Sequence, residues 1–329
     1  MPSIMLAAYG DNTITAPVEL RANFSAVAAD SFAAGGVNFA GPISGSGLLS
    51  LRPTENEFTI SGAGNTYSGG TIIRDATFRQ KGVNVTLGSV LGTGNVTVES
   101  RGYLKLHSIN SISSGKLIDI QSGGFVDFAD GVPFNSALLS RISPNSSGVL
   151  AVSANPAPGL DLSGFVNLII AGDGTTNISV PFEPSAGTYR LAAHDKHGTG
   201  VDSSAGPVLS GSNRLVVGSP GEFGGNLTLY GTNTYSGGTE ITSGYVYPFT
   251  GALGSGNVLV THGVLWTRAA NVMSPSASLI IQNNATAYMY HSQEYAGGTT
   301  VSGRLFALAD NCLGSGLVIV YWSMQTGQN

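Results

Sequence analysis

The chain has 329 residues, 14 Lys and Arg against 19 Asp and Glu for a net charge of −5, 42% hydrophobic residues and only 10% charged ones. No basic run exceeds two residues, which excludes the clustered cations that nucleic-acid phosphates require. Glycine numbers 47, roughly twice ordinary usage, so the surface is built from Ser, Thr, Asn and Gly, while the apolar fraction is high enough to offset chain entropy and exclude a disordered chain.

Residues 1–10 contain no Lys or Arg and only a brief apolar stretch, so they do not read as a signal peptide. No segment reaches the roughly 18 to 20 uninterrupted apolar residues of a membrane helix, so no transmembrane helix is expected. Helical periodicity is nearly absent. Short runs alternate with period two instead: Val96-Thr-Val98, Leu104-Lys-Leu106, Leu117-Ile-Asp-Ile120, Phe125-Val-Asp-Phe128, Leu227-Thr-Leu229, Val258-Leu-Val260 and Leu317-Val-Ile-Val320. Gly, Asn, Ser or Pro clusters separate them at roughly ten-residue spacing, which predicts the strands of a sandwich, a barrel or a solenoid.

Internal repetition selects the solenoid, because stacked units bury a continuous core only together. Asn65-Thr-Tyr-Ser-Gly-Gly-Thr71 is followed by Leu91-Gly-Thr-Gly-Asn-Val96, and Asn233-Thr-Tyr-Ser-Gly-Gly-Thr239 by Leu253-Gly-Ser-Gly-Asn-Val258. A third, degenerate copy reads Gln293-Glu-Tyr-Ala-Gly-Gly-Thr299, then Leu313-Gly-Ser-Gly-Leu-Val318. The first copy is longer between its two elements, which places an insertion, expected to be a loop, at 79–88. The Gly-Gly pair permits a tight corner that the tyrosine caps, and Leu-Gly-x-Gly reads as a second corner. The corner residues are therefore Tyr67, Gly69, Gly70, Leu91, Gly92 and Gly94; Tyr235, Gly237, Gly238, Leu253, Gly254 and Gly256; and Tyr295, Gly297, Gly298, Leu313, Gly314 and Gly316.

At these residues, and at Asn12-Thr-Ile-Thr-Ala-Pro-Val-Glu-Leu20, Gly41-Pro-Ile-Ser-Gly-Ser-Gly47 and the stretch 187–229, the sequence resembles the autotransporter-associated β-strand repeat of bacterial passenger proteins. The resemblance implies an all-β fold, a right-handed parallel β-helix, and display outside a bacterial cell. Residues 1–140 would carry the first block, 141–206 an irregular middle section of uneven rungs or protruding loops, and 207–329 the other two blocks, in one continuous solenoid. The repeat itself is a scaffold, and passengers range from adhesins to stalks bearing enzymes. The chain stops at Met324-Gln-Thr-Gly-Gln-Asn329, without the barrel that ends barrel-bearing members of the family.

The signatures G-x-S-x-G, G-x-G-x-x-G, the P-loop, H-E-x-x-H and Cys/His clusters are absent, so no enzyme, no metal site and no cofactor is expected. Cys312 reads as a small buried apolar residue. The cluster His194-Asp-Lys-His197, beside Gly198 and Gly200, reads as a solvated loop, and Gly172-Asp-Gly174 lacks the repeated spacing of calcium-binding β-rolls. A polysaccharide lyase or hydrolase on a β-helix is the alternative of another class, with Asp127 and Asp130, or Asp161 and Asp173 with Arg190, as its candidates. Asp127 is expected to be exposed on the outer face of its strand. Tyr67, Tyr235 and Tyr295 either form a row for sugars or pack the corners, and Tyr245, Tyr247, Trp266, Tyr288, Tyr290, Tyr321 and Trp322 enrich the later chain in aromatic rings.

Neither end carries a polar cap, although an open β-helix end presents unpaired backbone. The expected function is thus an extracellular structural or adhesive solenoid that self-associates, end to end into a filament or sheath, through Leu317, Ile319, Tyr321 and Trp322. Its partners would be further copies of itself and a surface polysaccharide or host cell surface. A segment of a long adhesive passenger is the rival reading.

Overall fold

Val96 and Val98 are buried while Thr97 between them is half-buried, and the same pattern recurs in Phe58–Ile60, Thr71–Ile73, Val258–Val260 and Leu279–Ile281. Strands this short satisfy few backbone groups alone and need a neighbour on each side. The chain supplies these neighbours by coiling: Thr299 pairs in parallel with Leu279 and with Val318, 20 residues earlier and 19 later. Every pairing between two strands is parallel among the described residues, which in this computed structural model are 3–6, 11–28, 35–54, 56–74, 82–86, 88, 90–129, 131–172, 177–192, 198–219 and 225–321. The chain is a parallel β-solenoid, as its repeats predict.

It divides into two compact units, Met1–Ala157 with Gly164–Asp173, and Pro158–Ser163 with Gly174–Asn329. In the first, one sheet runs from Asn12–Ile14 through Val37–Phe39, Phe58–Ile60, Val83–Val85, Tyr103–Leu106, Phe125–Phe128 and Val149–Val152 to Ile169–Gly172. A second runs from Ser3–Leu6 to Ile118–Ile120, and Val18–Leu20 pairs with Ile43–Gly45. Leu104, Leu106, Val96, Val98, Ile118 and Ile120 project into the core between them and are fully buried.

The second unit alternates between two sheets. One, the threonine sheet, takes Thr188–Ala192, Arg214–Val217, Thr239–Ile241, Val258–Val260, Leu279–Ile281, Thr299–Val301 and Val318–Val320. The other, the aromatic sheet, takes Asn177–Ile178, Thr199–Ser203, Asn226–Gly231, Tyr245–Pro248, Val264–Trp266, Thr286–Met289 and Arg304–Ala307.

The described residues of the stretch 141–206 include strands of these sheets. Val149–Val152 and Ile169–Gly172 are buried on both faces, so they lack the alternation that marks a half-exposed strand. Among the described residues, helix is confined to Ser136–Leu139, where Asn135 Oδ1 accepts from Leu138 N at 3.1 Å, and the 3-10 turn Ile109–Ser111. No helix among the described residues is long and apolar enough to cross a membrane.

The expected loop at 79–88 is corrected in part. Val83–Val85 inside it is a strand paired with Phe58–Ile60 and Tyr103–Leu106, because Val83 and Val85 are core residues at correct alternation.

Candidate functional site

The repeat blocks converge on one corner, built three times. Tyr67, Tyr235 and Tyr295 are 1%, 0% and 0% exposed, and each phenol hydrogen-bonds the hydroxyl of the threonine four residues on: Thr71 at 2.6 Å, Thr239 at 2.5 Å, Thr299 at 2.5 Å. Burial pushes all three phenols above their ordinary pKa, and the threonine hydrogen bond offsets this in part. These rings are bolts inside the corner and offer no surface for a sugar.

Two residues before each tyrosine stands a buried amide. Asn65 accepts from Ile43 N at 2.8 Å and donates to Val90 O at 2.9 Å; Asn233 accepts from Leu209 N at 3.0 Å and donates to Ala252 O at 3.1 Å. In the degenerate copy Gln293 also accepts from the preceding rung, from Val272 N at 2.9 Å, but it donates back to that same rung, to Ala269 O at 3.2 Å, where Asn65 and Asn233 donate to the following one. That copy keeps the amide on a longer side chain, and its −2 offset from Tyr295 is the signal that identifies it.

Leu-Gly-x-Gly is the same corner one rung later. Thr93 N, Ser255 N and Ser315 N donate to the carbonyls of Tyr67, Tyr235 and Tyr295 at 2.8, 3.0 and 3.0 Å. A Cβ at Gly92, Gly254 or Gly314 would meet the ring atoms and carbonyl of the tyrosine below, and one at Gly94, Gly256 or Gly316 would lie 2.3 to 2.6 Å from Gly70, Gly238 or Gly298. Gly69, Gly237 and Gly297 face the previous rung's backbone equally closely. Leu91 and Leu253 are buried beside this contact, and Leu313 is half-buried.

The candidate carboxylates lie elsewhere. Asp127 is 6% exposed, which corrects the expectation of an outward, solvated residue. Tyr103 Oη donates to its Oδ2 at 2.9 Å, Lys105 Nζ lies 3.7 Å from the same oxygen, and Oδ1 is buried without a hydrogen-bond partner. Burial and the neighbouring Asp127 carboxylate raise the Tyr103 phenol well above its ordinary range. Asp161 is exposed, and the Ser163 amide, donating to its Oδ1 at 2.7 Å, lowers its pKa. Arg190, whose pKa burial and Arg214 lower, is on the threonine sheet. Asp130, Asp173 and the 194–197 cluster lie outside the described residues. Among the described residues no group of three or more His, Cys, Asp or Glu is placed to hold a metal ion, and Cys312 is a buried free thiol.

Tyr245, Tyr247, Trp266, Tyr288 and Tyr290 gather on the outer face of the aromatic sheet. Tyr247, Trp266, Tyr288 and Phe306 follow one another across successive rungs, with Phe249, Arg268, Tyr290 and Leu308 in the next column. Tyr288 and Phe306 stack at 4.6 Å and 8°, Trp266 and Tyr290 at 5.4 Å and 15°, and the Arg268 guanidinium lies 4.5 Å over Tyr247. At the bend leading into this sheet, Thr261, His262, Gln282, Asn283, Asn284 and Ser302 line an open depression of about 420 Å³. At the final described strand, Val318–Val320, Ile319 is exposed, as are Leu317 before it, at 74%, and Tyr321 after it; Trp322 lies outside the described residues.

Two segments, 55–79 and 224–246, match the family model of the passenger-associated-transport-repeat. Each contains a strand, the tyrosine corner and the strand that follows: Phe58–Ile60 to Thr71–Ile73, and Asn226–Gly231 to Thr239–Ile241. No curated protein and no solved structure matches the chain.

Proposed function

We propose, from the premise that this chain carries passenger-associated transport repeats, that it is a segment of an autotransporter-like passenger, a secreted or surface-displayed scaffold without catalytic duty. The observation that supports this reading is the bolted corner, built three times and contained in both segments that match the repeat. A scaffold made of nearest-neighbour rungs folds locally and propagates, which suits a chain delivered progressively across a membrane. The test places the chain between a signal peptide and an outer-membrane β-barrel in a Gram-negative host. Protease added to intact cells should release a compact, resistant fragment; a chain that stays in the periplasm overturns the reading.

A second reading, self-association, draws support from the exposed aliphatic strand Val318–Val320 with Leu317 before it. Sedimentation of the purified chain should then show species that grow with concentration, and Ile319→Lys should abolish them. A monomer at every concentration would remove this reading.

A further inference from the structure

We infer that the outer face of the aromatic sheet, between Tyr245 and Leu308, is a binding ribbon for an acidic polysaccharide of the uronate type. This goes beyond the scaffold reading and does not depend on it.

The first ground is charge. The strand stretches 245–249, 264–268, 286–290 and 304–308 contain Arg268 and Arg304, both exposed, and no Asp or Glu, in a chain of net charge −5. Among the described residues no carboxylate pairs with either arginine. Arg268 instead has its guanidinium carbon 4.5 Å over the ring of Tyr247 and 5.2 Å from that of Trp266. A cation–π contact of this kind holds the guanidinium in place without using up its N–H donors, which stay available for a carboxylate. Screening over about 8 to 10 Å makes this local charge, and not the distant net charge, the one a ligand meets.

The second ground is the state of the phenols. The buried tyrosines and the half-buried Tyr103 spend their hydroxyls inside the protein: Tyr67, Tyr235 and Tyr295 on threonines, Tyr103 on Asp127, and Tyr189 as acceptor from Ser210 N. Tyr245, Tyr247, Tyr288 and Tyr290 make no side-chain hydrogen bond among the described residues, and Tyr245 and Tyr290 are exposed. A row of unspent phenol edges beside two unpaired guanidinium groups is a surface of donors.

Ring geometry decides which class of glycan fits. A neutral sugar would need an open ring face, yet Tyr288 and Phe306 cover one another, as do Trp266 and Tyr290, and Arg268 covers Tyr247. The edges that remain recognise oxygen atoms and negative charge. At the bend preceding Val264, Thr286 and Arg304, the depression lined by His262, Gln282, Asn283 and Asn284 adds amides for hydroxyl groups.

Calorimetry with polygalacturonate, its fully methyl-esterified form, and vesicles of anionic phospholipid tests this on the whole chain. Polygalacturonate should bind, added salt should weaken it, and the ester should not bind. Arg268→Gln and Arg304→Gln, both at exposed positions, should each lower affinity about tenfold, as loss of one charge-assisted hydrogen bond implies, with unchanged circular dichroism. Equal binding of acid and ester, binding to vesicles alone, or an Arg268→Gln chain that binds as the parent does would each overturn the inference.

Discussion

Tyr235→Ala is expected to destabilise its rungs by about 4 kcal/mol, within the ~3–5 kcal/mol that removing a buried ring costs. The ring is fully buried, its hydroxyl bonds Thr239 at 2.5 Å, and its carbonyl and ring face carry Ser255 and Gly254 of the next rung. Two effects are separable. Tyr235→Phe keeps the ring and leaves the Thr239 hydroxyl with only the Leu253 carbonyl at 3.5 Å, so it should cost about 1 to 2 kcal/mol. In a solenoid each rung contacts only its neighbours, so a global melting point can dilute a local loss. Amide exchange of residues 233–260 is the direct readout. Faster exchange there in the Ala variant, with a smaller change in the Phe variant and little beyond the adjacent rungs, is the expected pattern. Equal losses in both variants would mean that the hydroxyl, and not ring packing, holds the corner.

That corner shows how far the sequence is legible. Period-two runs such as Val96-Thr-Val98 and the spaced Tyr-Ser-Gly-Gly-Thr blocks are local facts, and they suffice for strands, corners and a solenoid. Stacking of the two glycine elements on one another is a contact between rungs, which no single block displays, so Leu-Gly-x-Gly reads as a separate corner until the rungs are superposed. Gln293 hides for a related reason: its role belongs to its offset from Tyr295, and its residue type differs from Asn65 and Asn233. Asp127 fails differently. Alternation correctly turns it away from the core, but Tyr103 and Lys105 of the preceding strand reach it and exclude water. The tyrosines divide on the same principle. Composition shows an aromatic C-terminal half, whereas only position separates the corner bolts from the exposed ribbon of Tyr245 and Tyr290. Val149–Val152 and Ile169–Gly172 escape a search for alternation because neither face meets solvent.

Gly256→Ala should be strongly destabilising, and the reason is contact, not backbone dihedral. An added Cβ at Gly256 would lie 2.4 Å from Gly238 N and 2.5 Å from Gly238 Cα, with Ser236 O at 2.7 Å. All three are main-chain atoms of the rung below, which no rotamer change can move. The rungs must part, stretching the bond from Thr239 N to Asn257 O, now 2.8 Å. A loss at or above the upper end of the ~1–3 kcal/mol typical of overpacked interiors is expected. Gly64 is the control, since its φ of +77° strains an alanine but nothing lies within 4 Å of the new Cβ. Strain there amounts to about 1 to 2 kcal/mol. Denaturant unfolding of the two variants ranks the terms. If Gly64→Ala proves the more damaging, conformation outweighs contact at these glycines; the geometry calls for the reverse, with close approach of successive rungs as the reason Leu-Gly-x-Gly ends in glycine.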